Sequence, residues 1–108
     1  MSIHPKIAIK GKDDAVKLHM RVTNQTNEKI YGIIKFRIKR PDGKIDILQR
    51  KVCVNFNSQI DEYFRYPIKD KPEGKYIIDG RFHWNEGSVR SETWKNDFFE
   101  IKSMEVKK

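Results

Sequence analysis

The chain contains a single cysteine, Cys53, among its 108 residues, so no disulfide can form within it. Unpaired cysteine is typical of proteins that stay in a reducing compartment. Long apolar runs are also absent, since the longest, residues 30–34, is far shorter than the ~20 residues of a transmembrane helix. The first six residues lack the apolar core of a secretion signal. These absences predict a cytoplasmic protein that does not insert into membranes.

Motifs for metal binding, cofactor binding and catalysis are missing too. His4, His19 and His83 are scattered, and the sequence has no C-x-x-C pair, no H-x-x-x-H pair and no acidic calcium loop. No glycine-rich phosphate loop or dinucleotide fingerprint is present. The adjacent acids Asp61 and Glu62 would point to opposite faces of a strand, unlike two carboxylates that share a substrate. We therefore predict a protein that is not an enzyme and that needs no metal and no cofactor.

Positive charge, by contrast, is abundant and unevenly placed. The chain has 23 Lys and Arg against 15 Asp and Glu, a formal net charge of +8. Residues 1–55 hold 13 basic and 5 acidic side chains, whereas residues 56–100 hold 7 and 9. This asymmetry predicts a polarised surface that attracts an anionic partner. The alternative is that the lysines only keep a small domain soluble.

Apolar residues recur with a period of two, the pattern of β-strands. In the segment Ala15–Thr23, alternate residues are apolar, and turn-forming residues follow it at 24–28 and again at 40–44. The other predicted strands are Lys29–Arg40, Ile45–Phe56, Gln59–Tyr66, Lys75–Trp84 and one within Glu92–Lys102. No stretch of ten residues keeps a helical period.

The segment Ile45–Phe56 alternates less regularly than the others. Its early residues favour Ile45 and Ile47 as inward-facing, whereas its later residues favour Val52, Val54 and Phe56. Because the two sets have opposite parity, we predict a bulge or a break near residues 49–51.

About seven short strands separated by turns predict an all-β fold, an immunoglobulin-like antiparallel β-sandwich. The alternative is a small closed barrel of the OB type. The length fits one domain over residues 1–108, with an ordered core at about residues 6–102. The predicted core consists of Val16, Leu18, Met20, Val22, Ile34, Phe36, Ile38, Val52, Val54, Phe64, Tyr76, Ile78, Phe82, and Phe98 or Phe99.

The run Pro72-Glu-Gly-Lys-Tyr76 resembles the entry into strand F of many immunoglobulin-like domains. With the strand end at 22–26 and the hairpin at 41–43, the chain looks like a prokaryotic-type immunoglobulin-like accessory domain. It is similar in layout to macroglobulin-like domains, cell-adhesion-type bacterial repeats and the bacterial intracellular proteinase inhibitor. The resemblance implies that the Tyr76 hydroxyl bonds a nearby backbone group. The chain departs from antibody domains, because Ile78 stands where their second disulfide cysteine would be.

The strongest functional signal is a basic strand. Lys35, Arg37 and Lys39 share one face of the strand Lys29–Arg40 with Tyr31, and no acid lies on that strand. If Lys75–Trp84 is the neighbouring strand, its outward residues extend the same surface. A tryptophan also stands at each end of the following loop, either as an interface anchor or as part of a packed pair that closes the core.

We therefore expect a non-catalytic protein–protein interaction module whose partner is another protein with an acidic surface. The alternatives are a nucleic-acid-binding β domain that uses the same basic face, and an intracellular proteinase inhibitor. The candidate partner-binding residues are Tyr31, Lys35, Arg37, Lys39, Lys75, Arg81, His83, Trp84 and Trp94.

Overall fold

The computed structural model describes the backbone of residues 1–86 and 89–103 and the side chains of residues 1–84 and 95–103. The strands are β1 (Ser2–His4), β2 (Ile7–Lys10), β3 (Ala15–Asn24), β4 (Ile30–Lys39), β5 (Ile45–Val54), β6 (Ser58–Pro67), β7 (Gly74–Glu86) and β8 (Val89–Ser103). The described residues form no helix, and hence none that is long and apolar enough to cross a membrane. The prediction of an all-β fold is confirmed.

The strands form two sheets. The small sheet has the order β1-β3-β6, and the large sheet has the order β2-β8-β7-β4-β5. The pairings are antiparallel except that of β2 with β8, which is parallel. The chain passes from the small sheet to the large one between β1 and β2, at a cis His4–Pro5 peptide bond.

The core lies between the sheets and is built from the inward residues of each alternation. The Phe36 ring of β4 meets the Phe64 ring of β6 edge-on, with 5.1 Å between their centroids. The predicted core residues are buried, except that Val52 is only partly buried, and of the two adjacent phenylalanines Phe99 is the buried one. Complete burial of such side chains stabilises the fold by about 1.5–3 kcal/mol each. The core also includes Ile3, Ala8, Ile30, Tyr66, Ile68 and Ile101.

The predicted bulge in β5 is wrong. The register from Ile45 opposite Lys39 to Val54 opposite Ile30 runs without a slip. Ile45 and Ile47 therefore point outward and are 43% and 52% exposed. The physical reason is that the buried Val54 and the hairpin at 40–44 together set the parity of the whole strand, since a shift by one residue would turn every side chain over.

The Arg40–Lys44 hairpin forms as its sequence predicts. Gly43 has a φ of 86°, a left-handed conformation that residues with a Cβ rarely adopt. The Gly43 N–H donates to the carbonyl of Arg40 at 3.0 Å, and the Lys44 N–H donates to the Asp42 carboxylate at 3.0 Å. This turn fixes the register between β4 and β5.

The turn between β3 and β4 is organised by the buried Asn24. Its Oδ1 accepts hydrogen bonds from the N–H and the hydroxyl of Thr26, at 3.0 and 2.7 Å. Its Nδ2 donates to the carbonyls of Glu28, Val54 and Asn55, at 2.7, 3.0 and 3.1 Å. One side chain thus ties this turn to the end of β5.

Tyr76 shows the hydrogen bond that the resemblance implies. Its ring is fully buried and stacks on Phe99, and its hydroxyl donates to the carbonyl of Pro72 at 2.6 Å. Burial raises the pKa of this hydroxyl to about 12. The bond anchors the start of β7 to the loop that precedes it.

Replacing Tyr76 by phenylalanine is expected to lower the free energy of unfolding by about 1 kcal/mol, because the Pro72 carbonyl loses its donor while the ring stays packed. Urea denaturation measures this difference. Tyr63→Phe is the matched control, since Tyr63 is 56% exposed, and we expect that variant to match the original chain. Equal stability of all three proteins would contradict a stabilising role for the Tyr76 bond.

Candidate functional site

The predicted basic residues meet on the outer face of the large sheet. β4 lies between β5 and β7, with Lys35 opposite Arg81 and Ile33 opposite His83, so the expectation that β7 neighbours β4 is confirmed. Alternation then places seven of the candidate residues on one surface, which we call the basic face. Its members are Tyr31, Lys35, Arg37, Lys39, Lys75, Arg81 and His83.

The basic face is reached by solvent along its whole length. Tyr31, at one end, is 66% exposed, and Arg37, Lys39 and Lys75 are exposed as well. Lys35 and its neighbours on β7 are half-buried, because they stand in the middle of the sheet. Alternate residues on a strand are about 6.7 Å apart, so the cations of β4 form a regular row.

One acid, Asp79, interrupts this surface, and sequence reasoning missed it. Asp79 stands opposite Arg37, and its Oδ2 accepts a hydrogen bond from Arg81 Nε at 2.9 Å. The same oxygen forms an ion pair with Arg81 Nη2 at 2.8 Å. Its Oδ1 is buried and has no hydrogen-bond partner among the described residues. The sequence does contain a signal for this acid, because Asp79 has the same parity in β7 as Lys75 and Arg81 and so lies on the same face. The pair with Arg81 leaves the cations of β4 as the main positive charge.

A second missed feature is a row of exposed apolar residues beside the basic face. Phe98 stands opposite Ile77, and Ile77 and Ile45 both stand opposite Lys39, which makes one line across four strands. The apolar residues of this line, together with Ile7 and Ile47 beside it, form what we call the apolar row. Its members are Ile7, Phe98, Ile77, Ile45 and Ile47. These side chains are 43–52% exposed. Lys39 stands between Ile77 and Ile45, so exposed apolar side chains and a cation lie side by side across the sheet. Exposed apolar residues grouped on one face are typical of an interaction surface.

Cations lie directly against the apolar row. The Lys75 ammonium is 4.4 Å from the centroid of the Phe98 ring, and the Lys6 ammonium is 5.5 Å from it. The same Lys6 forms an ion pair with Asp97 and thereby holds the pKa of that carboxyl below its ordinary value. The apolar row and the basic face are therefore one mixed surface rather than two separate patches.

The two tryptophans do not both belong to this surface. Trp84 lies on the opposite side of β7, where its ring stacks on Phe82 with 5.3 Å between centroids. Its side chain packs against the core, whereas the predicted pair of Trp84 with Trp94 lies outside the described residues. The backbone of Trp94 pairs with Arg81, but its side chain lies outside the described residues.

His19 takes part in a different network, on the outer face of the small sheet. Its Nε2 is 2.7 Å from Asp61, its Nδ1 is 3.2 Å from the Ser2 hydroxyl, and its ring stacks on Tyr63. Arg21 donates to the same carboxylate at 2.8 Å, and this bond above all holds the pKa of Asp61 below its ordinary value. Arg21 and Asp61 are exposed, so the network orients surface side chains and does not enclose a substrate.

The described part of the chain does not bring together side chains that could hold a metal ion. No group of three His, Cys, Asp or Glu side chains there is placed to hold a metal ion. Cys53 is exposed on the outer side of β5, opposite Tyr31.

Comparisons with known proteins show a similar fold in a solved structure but assign the chain to no family. No model of a known protein family matches the chain, and no curated protein does. Among solved structures, the chain is similar to part of the Pseudomonas fluorescens alkylpurine DNA glycosylase AlkC, bound to DNA containing an abasic site analogue. The TM-score is 0.68 at 11% sequence identity. The match covers 93% of this chain and 28% of the glycosylase chain, and at this identity it shows the fold alone.

Proposed function

We propose that the chain is a non-catalytic protein-binding module whose large sheet docks on the acidic and partly apolar surface of another protein. The observation that carries this proposal is the mixed surface, in which the apolar row lies against the cations of β4 and β7. Apolar side chains supply the area that a protein interface buries, and the cations select a negatively charged partner. Exposed isoleucines have no comparable use against a phosphate backbone.

The two sheets support the finer interpretation of the fold as an immunoglobulin-like sandwich. Three strands pack against five, the chain passes from the small sheet to the large one between β1 and β2, and Tyr76 bonds to the loop before β7. Sandwiches of this kind place their binding surfaces on an exposed sheet or on the loops. An interaction through the large sheet fits that architecture.

Changing Lys35, Arg37 and Lys39 together to glutamate is expected to weaken partner binding at least about tenfold at low salt, because the row of cations becomes a row of acids. The matched control is Lys17, Arg65 and Lys69 changed to glutamate, which alters the net charge equally but away from the large sheet. Each protein serves as bait in a lysate treated with nuclease, and captured proteins are compared by quantitative mass spectrometry. A partner retained by the control bait and lost from the β4 bait supports the proposal.

The apolar row is tested separately. Ile77→Ser combined with Ile45→Ser should release the same partner at any salt concentration, since apolar contacts are not screened. If both the charge variant and the serine variant retain every partner of the original chain, the large sheet is not the binding surface.

Nucleic-acid binding is the second candidate, favoured by the DNA-bound state of the glycosylase that the chain is similar to in structure. Cations along β4 could follow a phosphate backbone, which gives an affinity that falls steeply with salt. Fluorescence anisotropy with labelled single-stranded and double-stranded DNA measures that slope. Tight binding that the charge reversal on β4 abolishes, and that the serine variant leaves unchanged, would place nucleic acid ahead of protein.

A further inference from the structure

A second surface, remote from the basic face, lies at the edge of the small sheet. β3 pairs with β6 along all of Ala15–Asn24, but on its other side β1 pairs only with Lys17, Leu18 and His19. Within the described residues, no strand covers that side of β3 from Met20 to Asn24. An uncovered strand edge is a template for another strand.

One hydrogen bond shows which backbone groups of β3 face this open edge. The Ile68 N–H donates to the carbonyl of Asp14 at 3.2 Å, just before β3 begins, so residue 14 points toward β6. In an antiparallel ladder, successive residues point to alternate neighbours. The even-numbered residues of β3 therefore bond to β6, and the N–H and C=O groups of Arg21 and Thr23 point to the open edge.

A groove of about 420 Å³ runs beside this edge, between the small sheet and the strands β7 and β8. Gly80 lies in its wall, and the Met1 thioether occupies the space that a side chain at Gly80 would fill. Among the described residues that line it, the charged side chains are Arg21 and Lys95. The apolar side chains described there are Met1, Met20, Val22, Ile30, Phe82 and Trp84.

We propose that this edge binds an extended segment of a partner protein, in which apolar residues alternate with glutamate or aspartate. The segment adds a strand to β3 on the line of β1, and its backbone bonds to Arg21 and Thr23. Its apolar side chains lie beside Met20 and Val22 and enter the groove. Its acids lie on the outer face of the small sheet, next to Arg21.

The cations that line the groove favour a negatively charged segment. Arg21 bonds Asp61 through Nε alone, which leaves its two Nη groups without a hydrogen-bond partner among the described residues. The described residues that line the groove include no Asp or Glu, and the chain carries a net charge of +8. An acidic segment is therefore attracted, and a basic one is repelled.

The probe is an acetylated and amidated nonapeptide of alternating valine and glutamate, added to the ¹⁵N-labelled chain. We expect hydrogen exchange at the Arg21 and Thr23 amides to slow at least about tenfold, while the Met20 and Val22 amides, already bonded to β6, stay unchanged. The corresponding peptide of valine and lysine should bind at least about tenfold more weakly at low salt. Protection at β5 or β6 instead of β3, or equal affinity of the two peptides, overturns the proposal.

Two proline variants separate docking from folding. Thr23→Pro removes a donor that faces the groove, whereas Gln59→Pro removes one on the far side of β6, directly across the sheet from it. We expect the first variant to lose about tenfold in peptide affinity and the second to bind normally. A nonapeptide with N-methylvaline at its centre tests the same bond without changing the protein, and undiminished binding of that peptide also overturns the proposal.

This inference does not depend on the function proposed for the large sheet. At one salt concentration that screens the general effect of net charge, the variant with Lys35, Arg37 and Lys39 changed to glutamate should bind the nonapeptide like the original chain. Loss of peptide binding from the β4 variant under these conditions would place the peptide on the basic face and overturn the groove as its site.

Discussion

A chain carrying Phe36→Asp is expected not to fold. Phe36 is fully buried on β4, between β5 and β7, and its ring packs against Phe64 of the small sheet. A carboxylate at this place would have no partner, and burying an unpaired charge costs several kcal/mol. Domains of this kind have a total stability of about 5–15 kcal/mol. The ¹H–¹⁵N spectrum should collapse to the narrow range of an unfolded chain.

Phe98→Asp is the matched control for this experiment. Phe98 makes contact with Lys6 and Lys75 but is 46% exposed on the outer face of the large sheet. An aspartate there remains hydrated beside two cations, so we expect a dispersed native spectrum. If Phe36→Asp folded as well as Phe98→Asp, the assignment of the inward face of β4 would be wrong.

Asn24→Ala should lower the free energy of unfolding by about 2–4 kcal/mol. The substitution removes the Asn24 amide as donor to the Val54, Asn55 and Glu28 carbonyls, of which the last also accepts from the Thr26 hydroxyl at 2.9 Å. Each buried group left without a partner costs about 1–3 kcal/mol. Asn24→Asp should cost more, because a carboxylate would face those three carbonyl oxygens in place of an amide that donates to them. Urea denaturation at neutral pH measures both values.

Thr26→Val provides the comparison for Asn24. It removes the hydroxyl, which donates to Asn24 Oδ1 or to the Glu28 carbonyl and accepts from the Glu28 N–H, and it leaves the backbone bond of Thr26 in place. We expect a loss of about 1 kcal/mol. If the alanine and valine variants were equally stable, the bonds from Asn24 to β5 would contribute nothing.

The strands and the core could be predicted because they rest on local rules. The alternation in β3 and β4 places Leu18 and Phe36 inward, and both are fully buried. The Pro-Asp-Gly turn and the Tyr76 corner could be predicted because the conformation of each depends on a few adjacent residues.

What could not be predicted depends on the pairing of distant strands. The parity of β5 is fixed by Val54 and by the register with β4, and the isoleucines at its start had suggested the opposite side. β1 and β2 have three and four residues, too few for a period to be visible. The bonds from Asn24 to Val54 and Asn55 join residues 30 and 31 positions apart, and no local sequence pattern predicts them.

The candidate surface was predicted only in part, because it too depends on the pairing of distant strands. The period of β4 and of β7 assigns each cation to a face, but only the pairing of Lys35 with Arg81 brings the two strands together. The apolar row needs four strands in register, so it appears only in the folded sheet. The open edge of β3 likewise follows from how far β1 extends beside it.

The parallel pairing of β2 with β8 determines how the domain resists mechanical load. Ile7 lies beside Glu100, and Lys10 lies beside Ser103. A force that pulls Ile7 and Ser103 apart acts along both strands and loads their hydrogen bonds simultaneously in shear. A force between Tyr31 and Cys53, which are paired on β4 and β5, would instead peel bonds apart one by one. In an optical trap, the first geometry should therefore require the larger rupture force.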